Sequence, residues 1–143
     1  RAMSQENVEV IRTLYKIGAG DWFSAAPDEI DRAFREYIDE QFEARLPPDY
    51  PEGEPVFRGR KGFDELMAML GDTWGKWRIE PERFFDARDR VVVFVRILAE
   101  GGASGVPIEI ETAHVWTIRG ARATAMHAYR DRSEALETAG LSE

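Results

Sequence analysis

A chain of 143 residues, 43% hydrophobic and 32% charged, has room for one hydrophobic core and not for two. Its formal net charge of −8 works against a nucleic-acid backbone and against an anionic membrane surface, and no apolar run approaches the roughly 20 residues of a membrane-spanning helix. With no cysteine, disulfides, thiolate catalysis and cysteine-ligated metal are excluded, and a cytoplasmic setting is expected.

The N-terminal RAMSQENVEV lacks the apolar core of a secretion signal. Arg1-Ala2 ahead of Met3 reads as an expression remnant, which leaves one domain over 3–143. Val8, Ile11, Leu14 and Tyr15 form one apolar stripe, predicting a helix from a Ser4 cap to about residue 17. Gly18-Ala19-Gly20 ends it. Trp22 and Phe23 begin a short helical piece. After Pro27 a helix is expected over 29–40, with Ile30, Phe34, Tyr37 and Ile38 on its apolar side. Residues 42–46 alternate as a short strand. Residues 47–55 hold four of the seven prolines and read as loop, either a flap over a pocket or a plain surface connection.

Residues 58–62 introduce a helix buried through Phe63, Leu66, Met67 and Leu70, and their glycines lack the spacing of a phosphate loop. Residues 77–80 read as strand, Pro81 as an edge or bend, and 86–89 as a turn. Strands follow over 90–98, over 108–118 and from 122 onward, and a short helix over 133–139 precedes Gly140. Helices first and strands later make an α+β protein with an antiparallel sheet.

Side chains alternate across a strand, so Ile108, Ile110, Thr112, His114, Trp116 and Ile118 share one face, the core face. The following turn is two or three residues long. A three-residue loop pairs 118 with 122 and sets Met126 opposite His114, so that Met126, Ala128 and Arg130 face inward and His127 and Tyr129 outward. Residues 90–98 are apolar on nearly every position, the pattern of burial on both faces, and a homodimer covering the second face is expected. Arg96 shares a face with Val92, Phe94 and Leu98, where a charge must be paired or wet.

The segments FRGRKGFDELM at 57–67, WRIEPERFFDARDRVVVFVR at 77–96, AHVWTIRG at 113–120 and MHAYRDRSEALETAGL at 126–141 point to a family, as does a first helix ending in AGD. With them the chain resembles the SnoaL-like polyketide cyclases of the nuclear-transport-factor-2-like superfamily. The resemblance implies a cone: a curved antiparallel sheet wrapped around the N-terminal helices, enclosing a pocket and often dimeric. Ketosteroid isomerases share that fold. Against them the hydrogen-bonding acid falls on His114, the base on Ala44, and the oxyanion tyrosine on Thr13, two residues from Tyr15. Against limonene-epoxide hydrolases Arg96 matches the arginine, while Leu98 and Ala128 stand where acids are needed.

His114 is the candidate catalytic residue. Two readings stand for it: a pocket-facing acid or base near neutral pH, or a buried histidine bonded to a neighbour. Arg96 either meets an anionic oxygen or pairs with a carboxylate. Tyr15, Trp74, Phe94, Thr112, Trp116 and Met126 complete the expected lining, with Trp77 as a further stacking surface. His114 and His127 fall on opposite faces, so no metal site is expected, and no cofactor is called for. Two functions follow from these residues. One is a non-catalytic module binding a small apolar molecule. The other is a cofactor-independent isomerase or cyclase moving a proton on a small apolar carbonyl compound. The missing acids at 44, 98 and 128 favour the first.

Overall fold

The computed structural model describes residues 2–47 and 55–141. Arg1 and nearly all of the proline-rich loop expected over 47–55 lie outside the described residues. Helix α1 spans Ala2–Tyr15, so it begins ahead of the expected Ser4 cap, and a 3-10 turn over Ile17–Gly20 follows it. Gly18 and Gly20 take positive φ there, as the glycine pair predicts. Helix α2 spans Pro27–Glu36, with Pro27 as its first residue and the Glu29 carboxylate accepting from the Ala26 N–H at 3.1 Å. It ends four residues before the helix expected over 29–40. Strand β1, Ile38–Arg45, takes over because Ile38 pairs with Ala123 and the Tyr37 carbonyl accepts from the Ala123 N–H at 2.8 Å. The helical spacing of Ile30, Phe34, Tyr37 and Ile38 loses to a long-range strand pairing.

Strand β2 (Val56–Arg58), which the sequence did not announce, leads into α3 (Gly59–Thr73). Four longer elements follow: β3 (Trp74–Ala87), β4 (Arg90–Gly101), β5 (Pro107–Arg119) and β6 (Arg122–Tyr129). Helix α4, Arg132–Thr138, closes the described chain, capped by the Asp131 carboxylate, which accepts from Ser133 N at 2.8 Å. The six strands form one curved, unclosed sheet in the order β2-β1-β6-β5-β4-β3. Every pairing is antiparallel except β1 with β6, which is parallel. Pro81 sits in the edge strand β3, the kind of strand that tolerates proline, and the pairing slips between Pro81 and Arg83. Among the described residues no helix is long and apolar enough to cross a membrane.

The hairpin joining β5 and β6 corrects the expected register. Its turn is two residues, Gly120 and Ala121, both at positive φ, the conformation that matches the twist of the flanking strands. Thr124 is then inserted as a bulge between the pairs Ile118–Ala123 and Thr117–Ala125. Met126 therefore lies opposite Trp116, and Ala128, not Met126, lies opposite His114. The net displacement is two residues, so the face assigned to Met126 and Ala128 is unchanged.

Two apolar clusters lie on either side of the sheet. Ile11, Leu14, Phe63 and Leu66 of α1 and α3 pack with the odd residues Val91, Val93, Val95, Ile97 and Ala99 of β4. On the outer face Val92, Phe94, Val115 and Tyr129 lie under Ala135 and Leu136 of α4. The two-sided burial of β4 is thus met within one chain. Tyr129 faces outward as expected, but beneath α4 instead of toward solvent.

Candidate functional site

Between the helices and the concave face of the sheet lies a cavity of about 410 Å³, within the range of small-molecule sites. Its wall is almost entirely apolar. Leu14 and Tyr15 come from α1, Phe42 and Ala44 from β1, Phe63 and Leu66 from α3, Trp74 and Trp77 from β3. Strand β5 supplies Ile110, Thr112, His114 and Trp116, which alternation predicts, and β6 supplies Met126 and Ala128. Ile108, on the same face, is 39% exposed, because β5 there runs past the end of β6.

The polar atoms of the buried end form a chain. Trp116 Nε1–H donates to Tyr15 Oη at 2.9 Å, and Tyr15 Oη lies 2.6 Å from His114 Nδ1. An indole N–H can only donate, so the tyrosine oxygen accepts from it. The phenol O–H can then donate to His114 Nδ1, and in that arrangement the neutral imidazole carries its own proton on Nε2. The three rings also pack against one another. Tyr15 lies nearly parallel to His114, at 6.0 Å and 10°, and edge-on to Trp116 at 5.9 Å. The sequence sets up half of the arrangement, because positions 114 and 116 of one strand must share a face. The other half comes from α1, where Tyr15 is the last residue of the buried stripe. Thr13, which the isomerase comparison selects, instead bonds back to the Glu9 carbonyl at 2.9 Å.

Burial sets the protonation states. It lowers the His114 pKa from 6.5 to about 4, so the ring is neutral near pH 7. It raises the Tyr15 phenol, with the Trp116 hydrogen bond acting weakly in the other direction. Among the described residues lining the cavity there is no Asp or Glu. Thr112 Oγ1 is committed to the Tyr129 carbonyl. Among the described residues no group of His, Asp and Glu side chains is placed to hold a metal ion.

His114, Tyr15, Trp116, Met126, Trp74 and Thr112 are therefore brought together around one cavity. Phe94 and Arg96 are not. Phe94 belongs to the outer cluster, its ring tilted against Phe85 with 4.8 Å between ring centres. Arg96 lies on the same outer face, 2.9 Å from Glu82, 3.5 Å from Glu109 and 3.8 Å from Glu111. Of the two readings of Arg96 the carboxylate pairing is the one seen. The limonene-epoxide hydrolase correspondence fails with it, since its arginine would have to face the cavity. Strand β4 is apolar on both faces, so its own sequence did not reveal which parity points inward. Sequence reasoning also left out Phe42, Trp22 and Phe63, whose only signal was membership of short apolar patterns.

A family model for a SnoaL-like domain matches residues 17–126. No curated protein matches the chain. Several solved structures share the fold. A protein assigned as a SnoaL-like polyketide cyclase from Jannaschia sp. CCS1 is 18% identical, with 90% of this chain and 88% of that chain covered and a TM-score of 0.71. TerC, co-crystallised with polyporic acid, is 25% identical, with 94% and 98% covered and a TM-score of 0.71. An NTF2-like protein of unknown function from Burkholderia pseudomallei K96243 is 16% identical, with 92% and 95% covered and a TM-score of 0.70.

Proposed function

The chain belongs to the SnoaL-like domain family, and on that premise we propose that it binds a small, flat, largely apolar molecule bearing a carbonyl, without chemically changing it. The observation that carries this reading is the Trp116–Tyr15–His114 chain at the closed end of an apolar cavity whose described lining has no carboxylate. The apolar wall supplies affinity through area removed from water, and aromatic rings favour a flat partner. The Nε2–H of His114 is the donor this chain leaves to offer, held in one tautomer by Tyr15. A ligand oxygen accepting from it gains a hydrogen bond in a place that water would otherwise serve. TerC, similar to this chain in fold and length, was crystallised with polyporic acid, which supports a small organic ligand here too.

One observation favours the runner-up, a cofactor-independent isomerase or cyclase: the short contact from Tyr15 to His114, which links two proton-bearing groups. Burial works against it. A histidine whose pKa is near 4 is a weak base at neutral pH, and the raised phenol is a weak acid.

The test is titration with 2-acetylnaphthalene and with 2-ethylnaphthalene, its counterpart without the carbonyl, followed by tryptophan fluorescence. The ketone is expected to bind roughly fivefold to tenfold more tightly in the wild type. That preference is expected to vanish in His114→Phe. Equal binding of the two compounds by the wild type would defeat the reading. Protein-accelerated deuterium exchange at the acetyl group, lost in His114→Phe, would replace it with the catalytic one.

A further inference from the structure

One face of β5 runs the length of the cavity and out of it. Trp116, His114 and Thr112 are buried, Ile110 is half-buried and Ile108 is exposed. Exposure rises along alternate residues of one strand, which marks the end where the cavity opens. Trp116 and Ile110, both in the lining, are six residues apart, roughly 20 Å of strand. Ile108 stands one repeat further along the same face, roughly 7 Å. The pairing with β6 stops at Ala113–Tyr129, but β4 and β3 carry the floor onward. Ile79, Ile97 and Ile110 lie in one row across the three strands, and Trp77, Ala99 and Ile108 in the next. Both rows are wholly apolar, while Glu109 and Glu111 point to the opposite face, toward Arg96. An exposed isoleucine by itself means little. This one continues, in line and in chemistry, the floor of a cavity.

We propose that the ligand carries a hydrocarbon tail: its flat carbonyl-bearing head sits at His114, and the tail lies along β5 over Ile110 and leaves the cavity across Ile108. This rests on the binding reading above and names the chemical class that reading left open. The physical argument is one of length. A compact flat molecule held at His114 fills the closed end and leaves the rows of Ile110 and Ile108 uncovered. A tail covers them, and each methylene laid on that track removes apolar surface from water on both partners. The track has walls as well as a floor. Trp74 and Trp77, 5.9 Å apart and tilted by 46°, border it, and Leu70 of α3 closes it from the helix side. No polar side chain of these two rows asks for a hydrogen bond, so an aliphatic chain leaves nothing there unpaired. A six-carbon chain, extending roughly 1.2 Å per bond as a polypeptide backbone does, spans about one strand repeat, the step from Ile110 to Ile108.

The experiment compares 2-acetylnaphthalene with its 6-ethyl, 6-butyl and 6-hexyl derivatives by tryptophan fluorescence, in the wild type and in Ile108→Asp. Wild-type affinity is expected to rise roughly twofold to fourfold with each added methylene, the gain from covering such a group in part or in full. In Ile108→Asp the parent compound is expected to bind as before, which shows that the variant is folded, while the advantage of hexyl over butyl is lost. Ile108→Thr keeps a β-branched side chain suited to a strand and is expected to reduce that advantage; it carries the test if the aspartate variant does not fold. Wild-type protein that binds the parent and the hexyl compound equally would overturn the proposal while leaving the binding reading intact. So would a hexyl advantage that survives whole in the folded variants. Failure of every compound to bind would overturn both.

Discussion

A single imidazole illustrates how burial turns into pH dependence. In the unfolded chain His114 takes up a proton near its ordinary pKa of 6.5, whereas in the folded chain it does so only near 4. Between those values the unfolded state binds the extra proton, so its population gains as pH falls. The stability associated with the neutral ring is complete above about pH 6.5, declines toward pH 4, and has no further to fall below that. The decline approaches about 1.4 kcal/mol per pH unit in the middle of the window. Urea unfolding between pH 7.5 and 4.5 is expected to show that slope in the wild type and to lose it in His114→Phe, whatever the absolute stability of the variant. Equal slopes in both would remove the case for a sealed neutral histidine. Glu43 and Glu82, whose carboxyls sit below their usual range through bonds to Arg58 and Arg132 respectively, add their own losses only at lower pH. Positions 114 and 116 were legible from alternation alone. The partner of His114 was not, because Tyr15 lies 99 residues away and no local pattern connects them.

At the scale of elements, α3 offers an internal comparison. Replacing a helical glycine by alanine ordinarily stabilises by up to about 1 kcal/mol, since glycine loses more freedom on folding. Gly71 has open space around it, with nothing within 4 Å of where an added methyl group would sit, and Gly71→Ala should follow that rule. Gly62 should break it. A methyl group there would sit 2.6 Å from the Phe57 carbonyl carbon, a backbone atom that cannot swing aside. Gly62→Ala is therefore expected to lower stability by about 1–3 kcal/mol, with thermal or urea unfolding as the measure. The same close approach explains why β2 exists at all: three residues, Val56–Arg58, are held between α3 and β1. Val56 and Phe57 are residue types that suit a strand, but three residues are too few for alternation to mark one. The lost end of the expected helix over 29–40 has the same cause in reverse, since the pairing of Ile38 with Ala123 outweighs a helical spacing that the sequence states clearly.

For the molecule as a whole, β4 is the shared wall. Its odd residues close the inner cluster and Val92 and Phe94 close the outer one. Losing one side must expose the other, so unfolding followed by tryptophan fluorescence, which reports the inner side, and by far-ultraviolet circular dichroism should coincide at every urea concentration. Separate midpoints would mean that α4 and its cluster come away independently. The alternation of β5, the apolar stripes of the helices and the segments shared with SnoaL-like proteins determined the α+β cone and the inward face around His114, because each depends on spacing within one element. Which face of β4 turns inward was decided only by tertiary structure. A strand apolar on both sides carries no phase of its own and takes it from its neighbours. That phase sent Arg96 away from the cavity to the outer carboxylates.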